Sequence, residues 1–209
     1  MHQLPSTVKL PIPRGKRAST EGGSVTGYAP TQTVRCVGEP RFRTQSVRDA
    51  GCLLDVDSGV LSWTCRPSAL SNRGRTFLPD FEVVREAAVE LVAVTEDRER
   101  VPDWAVAAAV ARGMPITTLP TSHLVGVRLE NARELLRYAA WRVSLSDRVR
   151  LLAALDQEGS LPLGEAMTTI RNGADPIAAI AALALRRFVD LDLDSGRIGP
   201  ETRVARWRD

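Results

Sequence analysis

The sequence predicts a mixed α/β protein with a basic arm over residues 1–40, a strand-rich unit over residues 41–143, and a helical unit closed by a β-ribbon over residues 144–209. Three stretches carry this reading. Residues 76–84 and 89–95 read as two strands joined by a short turn, the second rich in the β-branched residues that suit a pleated surface. Leu129, Ala132, Leu135, Leu136 and Ala139 follow the i, i+3, i+4, i+7 rule of an amphipathic helix over residues 129–141. The last third holds three helical segments and then two short segments able to pair with each other.

Taken in order, residues 1–40 mix Pro, Gly, Ser, Thr and cations with no helical or strand period, as in an arm that is disordered or ordered by a partner. Residues 46–54 form a short helix with Val47, Ala50, Leu53 and Leu54 on one face, and a strand begins at Gly59. The loop over residues 68–74 feeds the central pair of strands. On the second of these, Leu91, Ala93 and Thr95 project from one face, because side chains two apart on a strand share a side. Pro102 and Asp103 open a helix that Gly113 ends; residues 114–119 are a strand broken by Pro120. Ser146 or Asp147 caps a helix over residues 148–157, stopped by Gly159, and residues 163–170 form the next. Asp175 and Pro176 are an N-cap and first-turn pair opening a third helix over residues 177–188. Residues 189–193 alternate, and residues 202–207 pair back on them after a turn. Three helices followed by a two-stranded ribbon is the winged-helix arrangement, a helix-turn-helix variant.

Composition narrows the function classes. With 209 residues, 44% of them hydrophobic, the chain has the length of two small globular domains. No run approaches the roughly 20 apolar residues of a membrane span, and the basic N-terminus lacks the apolar core of a secretory signal. No membrane partner is expected. Cys36, Cys52 and Cys65 are odd in number and outside any CxxC spacing, which fits a reducing cytoplasm better than a disulfide framework or a zinc site. With His2 and His123 the only histidines, His-based catalysis is not expected. The net charge of +3 is uneven: residues 1–48 carry eight Lys/Arg against two acids, while the remainder is slightly acidic. Nearly all cations are Arg, which suits phosphate contacts.

The chemistry-bearing residues lie in the central strands. A carboxylate late in one strand, with an acid and a lysine two apart on the next, lets many nucleases hold a divalent metal and orient the attacking water. Asp80 supplies the first carboxylate here, whereas Ala93 and Thr95 stand where the acid and the lysine belong. The stretch Arg75-Thr76-Phe77-Leu78-Pro79-Asp80-Phe81-Glu82-Val83, followed by Leu91-Val92-Ala93-Val94-Thr95, resembles the PD-(D/E)xK core of restriction-endonuclease-like folds. Most closely it resembles TnsA, the endonuclease subunit of heteromeric transposases. Further likeness at Leu53-Leu54-Asp55-Val56-Asp57, Gly113-Met114-Pro115-Ile116 and Glu130-Asn131-Ala132 extends the resemblance over about residues 44–209.

The resemblance implies a restriction-endonuclease-like mixed sheet flanked by helices and followed by a winged-helix domain. It also implies a role at transposon-end DNA beside a DDE-type transposase subunit and an ATPase regulator. The family carries another acid on its first helix; the count from Asp57 lands on Val47, and a two-residue slip lands on Asp49. Because the acid and lysine are replaced, the chain is expected to be a TnsA-like, catalytically degraded subunit that binds DNA ends or the transposase, with Mg²⁺ required only if the site is active. One alternative is an atypical metal-dependent DNA endonuclease using Asp80 with Asp49 or Glu96. Another is a mobile-element or phage adaptor that docks proteins. DNA contacts are expected from Arg14, Lys16 and Arg17 in the arm and from Arg171, Arg186, Arg187, Arg197, Arg203 and Arg206 in the C-terminal unit. The third helix of that unit, Ile-Ala-Ala-Ile-Ala-Ala-Leu, offers no donors for base edges and suits packing better than reading.

Overall fold

Two aromatic side chains set the centre of the main sheet. Trp63 and Phe81 are fully buried and meet edge to face, with ring centroids 5.3 Å apart, and the strands that carry them are neighbours. In a computed structural model describing residues 27–173 and 175–208, helix α1 (Gln45–Val56) leads into β1 (Ser62–Cys65). A hairpin of β2 (Leu70–Asn72) and β3 (Arg75–Phe77) precedes β4 (Phe81–Val84) and β5 (Val89–Thr95). Helix α2 (Asp103–Ala111) then crosses to β6 (Ile116–Pro120), and α3 (Val127–Leu136) closes this part of the chain. The four-stranded sheet runs β1-β4-β5-β6, antiparallel except for the β5–β6 pair, whose parallel register needs the α2 crossover.

Each face of the sheet has its own cover. Trp63, Phe81, Val83, Val92 and Val94 face the apolar sides of α1 and α3. Leu91 and Ala93, on the opposite face of β5, pack with Leu70 of the hairpin and Ala105 and Ala109 of α2. Both layers follow from the two-residue period of β5, which is apolar on both sides and buried over Leu91–Thr95.

The C-terminal part contains α4 (Leu145–Glu158), β7 (Ser160–Pro162), α5 (Leu163–Thr168), α6 (Pro176–Leu185), β8 (Val189–Leu191) and β9 (Arg203–Arg206). Its three strands form an antiparallel sheet in the order β7-β9-β8. Gly159 ends α4 at φ +77, a left-handed position that favours glycine. Asp175 caps α6 by accepting from the Ala178 amide, with Pro176 in the first turn. Along α6, every residue from Ala178 to Leu183 is buried, so the helix lies inside the protein.

The apolar core runs unbroken from α1 through Leu129 and Leu136 of α3 to Leu151, Ile180 and Leu183. Arg187 strengthens this junction. It sits at φ +58, just past α6, where the Phe188 amide bonds the Leu183 carbonyl and the Arg187 amide bonds that of Ala184. Its guanidinium donates to the carbonyls of Asp57, Ser58 and Val60 at 2.5–3.1 Å. Arg187→Gly relieves the left-handed strain yet removes these charge-assisted bonds. We expect a net loss of about 1 kcal/mol, read from chemical denaturation.

Several boundaries differ from the sequence-based expectation. The strand expected over residues 76–84 is split, because Pro79 has no amide to donate and the chain turns at Leu78–Asp80 before β4. Helix α4 is capped by Ser144 rather than Ser146 or Asp147. Helix α3 ends at Leu136, and residues 137–140 continue as turns. The expected arm over residues 1–40 is, over residues 27–40, bound to the body without a regular period. Arg48, fully buried, donates to the carbonyls of Pro30 and Gln32, and Asp55 accepts from the amides of Val34 and Arg35. Arg14, Lys16 and Arg17 lie outside the described residues. Among the described residues no helix is long and apolar enough to cross a membrane.

Candidate functional site

Asp80 stands where the chain leaves the β3 hairpin and enters β4. Its amide bonds the Val92 carbonyl, and continuing the Phe81↔Val92 register sets Asp80 opposite Ala93. Asp80 and Ala93 therefore stand side by side, and the group that meets Asp80 is a guanidinium. Arg43, immediately before the N-cap of α1, donates Nε to Asp80 Oδ1 at 2.7 Å and Nη2 to Asp80 Oδ2 at 3.1 Å. The same Nη2 reaches the Val94 carbonyl at 2.6 Å, and the Val94 amide donates to Asp80 Oδ2 at 2.8 Å. Asp80 is buried and both of its oxygens are engaged, while the Arg43 side chain that meets them is more than half exposed. Hydrogen bonding to Asp80, reinforced by the nearby Glu99 and Glu96, outweighs burial and holds the Arg43 guanidinium above its usual range.

The other acidic candidates have separate partners. Asp49 is buried on α1, where Arg133 of α3 binds it through Nε at 3.0 Å and Nη2 at 2.6 Å, and Gln45 donates to the same carboxylate. Glu96 lies exposed past the end of β5 and accepts from Thr121 Oγ1 at 3.3 Å. Ala93 is packed against α2 and offers no ligand atom. Thr95 is buried, its Oγ1 without a hydrogen-bond partner among the described residues. Among the described residues no group of three His, Cys, Asp or Glu side chains converges in a way that could hold a metal. The donor set does not fit Mg²⁺. A hard cation asks for free oxygens, and the carboxylate and carbonyl that face one another here already share one guanidinium.

The C-terminal arginines divide by what they touch. Arg186 donates to the carbonyls of Ala182, Ala139 and Trp141, and Arg187 to the 57–60 loop as described. Arg197 pairs with Glu130 at 2.8 Å and Arg206 with Asp156 at 3.1 Å. Arg171 and Arg203 are exposed and have no ion pair among the described residues. The loop from β8 to β9 is itself anchored to α3. Buried Asn131 donates to the Leu193 and Gly196 carbonyls and accepts from the Ile198 amide, while Arg128 pairs with Asp194 at 2.6 Å.

Neither protein-family models nor curated proteins match this chain. Residue patterns within single elements single out Asp80 and place Ala93 and Thr95 where an acid and a lysine would stand. They give no sign of Arg43 or Arg133, whose partners lie 37 and 84 positions away in sequence.

Proposed function

We propose that the chain is a catalytically silent, TnsA-like subunit of a DNA transposition complex, built on a restriction-endonuclease-like core with a winged helix appended. The observation that carries the catalytic half of this reading is the Arg43 bridge. A side chain that is always protonated neutralises Asp80 and occupies the Val94 carbonyl, so the charge balance a metal ion would provide is already met from within the chain. A fixed guanidinium cannot carry an ionised water to phosphorus, and no lysine stands at Thr95 to assist one.

Support for the fold comes from the mixed sheet with α1 and α3 on one face and α2 on the other. For the C-terminal unit it comes from three helices followed by the paired strands β8 and β9, with β7 on the far side of β9. In this reading the protein holds transposon-end DNA beside a DDE-type transposase and an ATPase regulator, and strand cutting falls to another subunit.

The test is incubation of supercoiled and transposon-end DNA with wild type, Asp80→Asn and Arg43→Ala in Mg²⁺ or Mn²⁺. Expected is a gel shift without cleavage for wild type and Asp80→Asn alike. Wild-type cutting that Asp80→Asn abolishes would overturn the proposal. Arg43→Ala is expected to cost about 2 kcal/mol of stability, because Asp80 keeps the Val94 amide but loses its counter-charge.

A further inference from the structure

The β2–β3 hairpin stands apart from every residue so far assigned to nucleic acid. Leu70 is fully buried against α2 and Phe77 is half-buried, which fixes the base of the hairpin. All six residues from Ser71 to Thr76 are exposed. The strands are joined by a two-residue turn, with Asn72 paired to Arg75 and with Arg73 at φ +46 and Gly74 at φ +78. Positive φ at both turn positions is the twist-matched hairpin geometry, and Gly is at home there. Arginine is not, since Cβ crowds the backbone in the left-handed region. Arg73 also has no ion pair or side-chain hydrogen bond among the described residues, so no contact within them offsets that strain.

The surrounding sequence is one-signed. From Thr64 to Pro79 there is no Asp or Glu, while Arg66, Arg73 and Arg75 are all exposed. Arg75 lies over the Trp104 ring, 5.2 Å from its centroid, which stiffens one strand without consuming its charge. Ser71, Asn72 and Thr76 add neutral donors. By contrast, the parts of the C-terminal unit that a winged helix would place on DNA are occupied, α6 by the core and the β8–β9 loop by α3.

We propose that the β2–β3 ribbon is the principal DNA contact of this chain, entering the major groove of duplex DNA with Arg73 at its tip and Arg66 and Arg75 on the flanking phosphates. A two-stranded ribbon has the width that groove admits, and the arginine fork matches both phosphate and the edge of guanine. The inference rests on the DNA-binding reading above and adds where that binding occurs.

The test is equilibrium binding of a duplex oligonucleotide across a salt series, for wild type, Arg73→Gly, Arg66→Ala/Arg75→Ala and Arg171→Ala/Arg203→Ala. Arg73→Gly removes the charge while relieving the strained φ, so its fold is secure. It is expected to weaken binding about tenfold and to reduce the salt slope by about one. The Arg66/Arg75 pair is expected to lower the slope by about two. Full affinity in both hairpin variants, with loss in Arg171→Ala/Arg203→Ala, would overturn the ribbon and leave DNA binding standing. Equal affinity for single-stranded DNA would overturn groove entry. Absence of salt-dependent binding by wild type would overturn both the ribbon and the reading on which it rests.

Discussion

Asp147→Ala is expected to lower folding stability by about 3 kcal/mol. Asp147 is 1% exposed and lies in the first turn of α4. It caps that turn jointly with Ser144: the Asp147 amide donates to Ser144 Oγ at 3.1 Å, and Ser144 Oγ donates back to the carboxylate at 2.7 Å. The same carboxylate accepts the amides of Arg171 and Asn172 at 2.9 and 3.2 Å and binds the Arg150 guanidinium. One side chain thus joins the start of α4 to the segment between α5 and α6. Removing it leaves two backbone amides without their acceptor and leaves Arg150 with the Thr169 carbonyl alone. Burial pushes the Asp147 carboxyl up, but the Arg171 amide, the Ser144 hydroxyl and Arg150 together hold it well below the usual carboxylate range. A folded-state value below the unfolded one means that its contribution is present above about pH 3.9, the unfolded value, and is lost as pH falls toward the folded value. Denaturation across an acid series should show wild type losing stability on that limb and Asp147→Asn showing a flatter one. A wild-type profile matching that of the Asn variant would remove Asp147 as the cause.

The local rules recover most of the fold. β5 runs over Val89–Thr95 as its composition indicates, and α6 opens at the Asp175-Pro176 pair. Gly113 and Gly159 end their helices at positive φ, as their places in the sequence suggest. The failures have particular causes. β7 is three residues long and ends in a proline, so no alternation marks it. The β2–β3 hairpin has Leu70 as its one fully buried residue, and a six-residue exposed stretch reads as loop. The sequence does carry the turn signal: Asn72-Arg73-Gly74 holds the Gly of a two-residue hairpin, and no acid occurs from Thr64 to Pro79. For the site, the place of Asp80 is local information and is legible. Its counter-charge is not, because a guanidinium arriving from the start of α1 leaves no periodic trace in either strand. The expected position of Asp49 on the first helix holds, but its partner Arg133 comes from α3 and makes it an internal ion pair.

Placing an acid opposite Asp80 is expected to damage the protein. Ala93→Glu should lose about 4 kcal/mol of stability, measured by chemical denaturation, because it places a carboxylate in an apolar setting without a dedicated partner. Ala93 is 3% exposed and packs with Leu91, Leu70, Ala105 and Ala109. Its neighbours leave little room, so a longer side chain has to displace them or turn toward Asp80. Turning toward Asp80 sets two carboxylates opposite each other across the β4–β5 pair with one guanidinium between them, and like charges so placed repel. Ala93→Val separates size from charge. It adds volume alone and is expected to cost about 1–2 kcal/mol. If Ala93→Glu lost no more than Ala93→Val, the face of β5 that carries Ala93 would be open enough to accept a carboxylate. The packing indicates otherwise: Ala93 is buried among apolar neighbours and Arg43 already engages both oxygens of Asp80, so a metal site here would require changes at both positions.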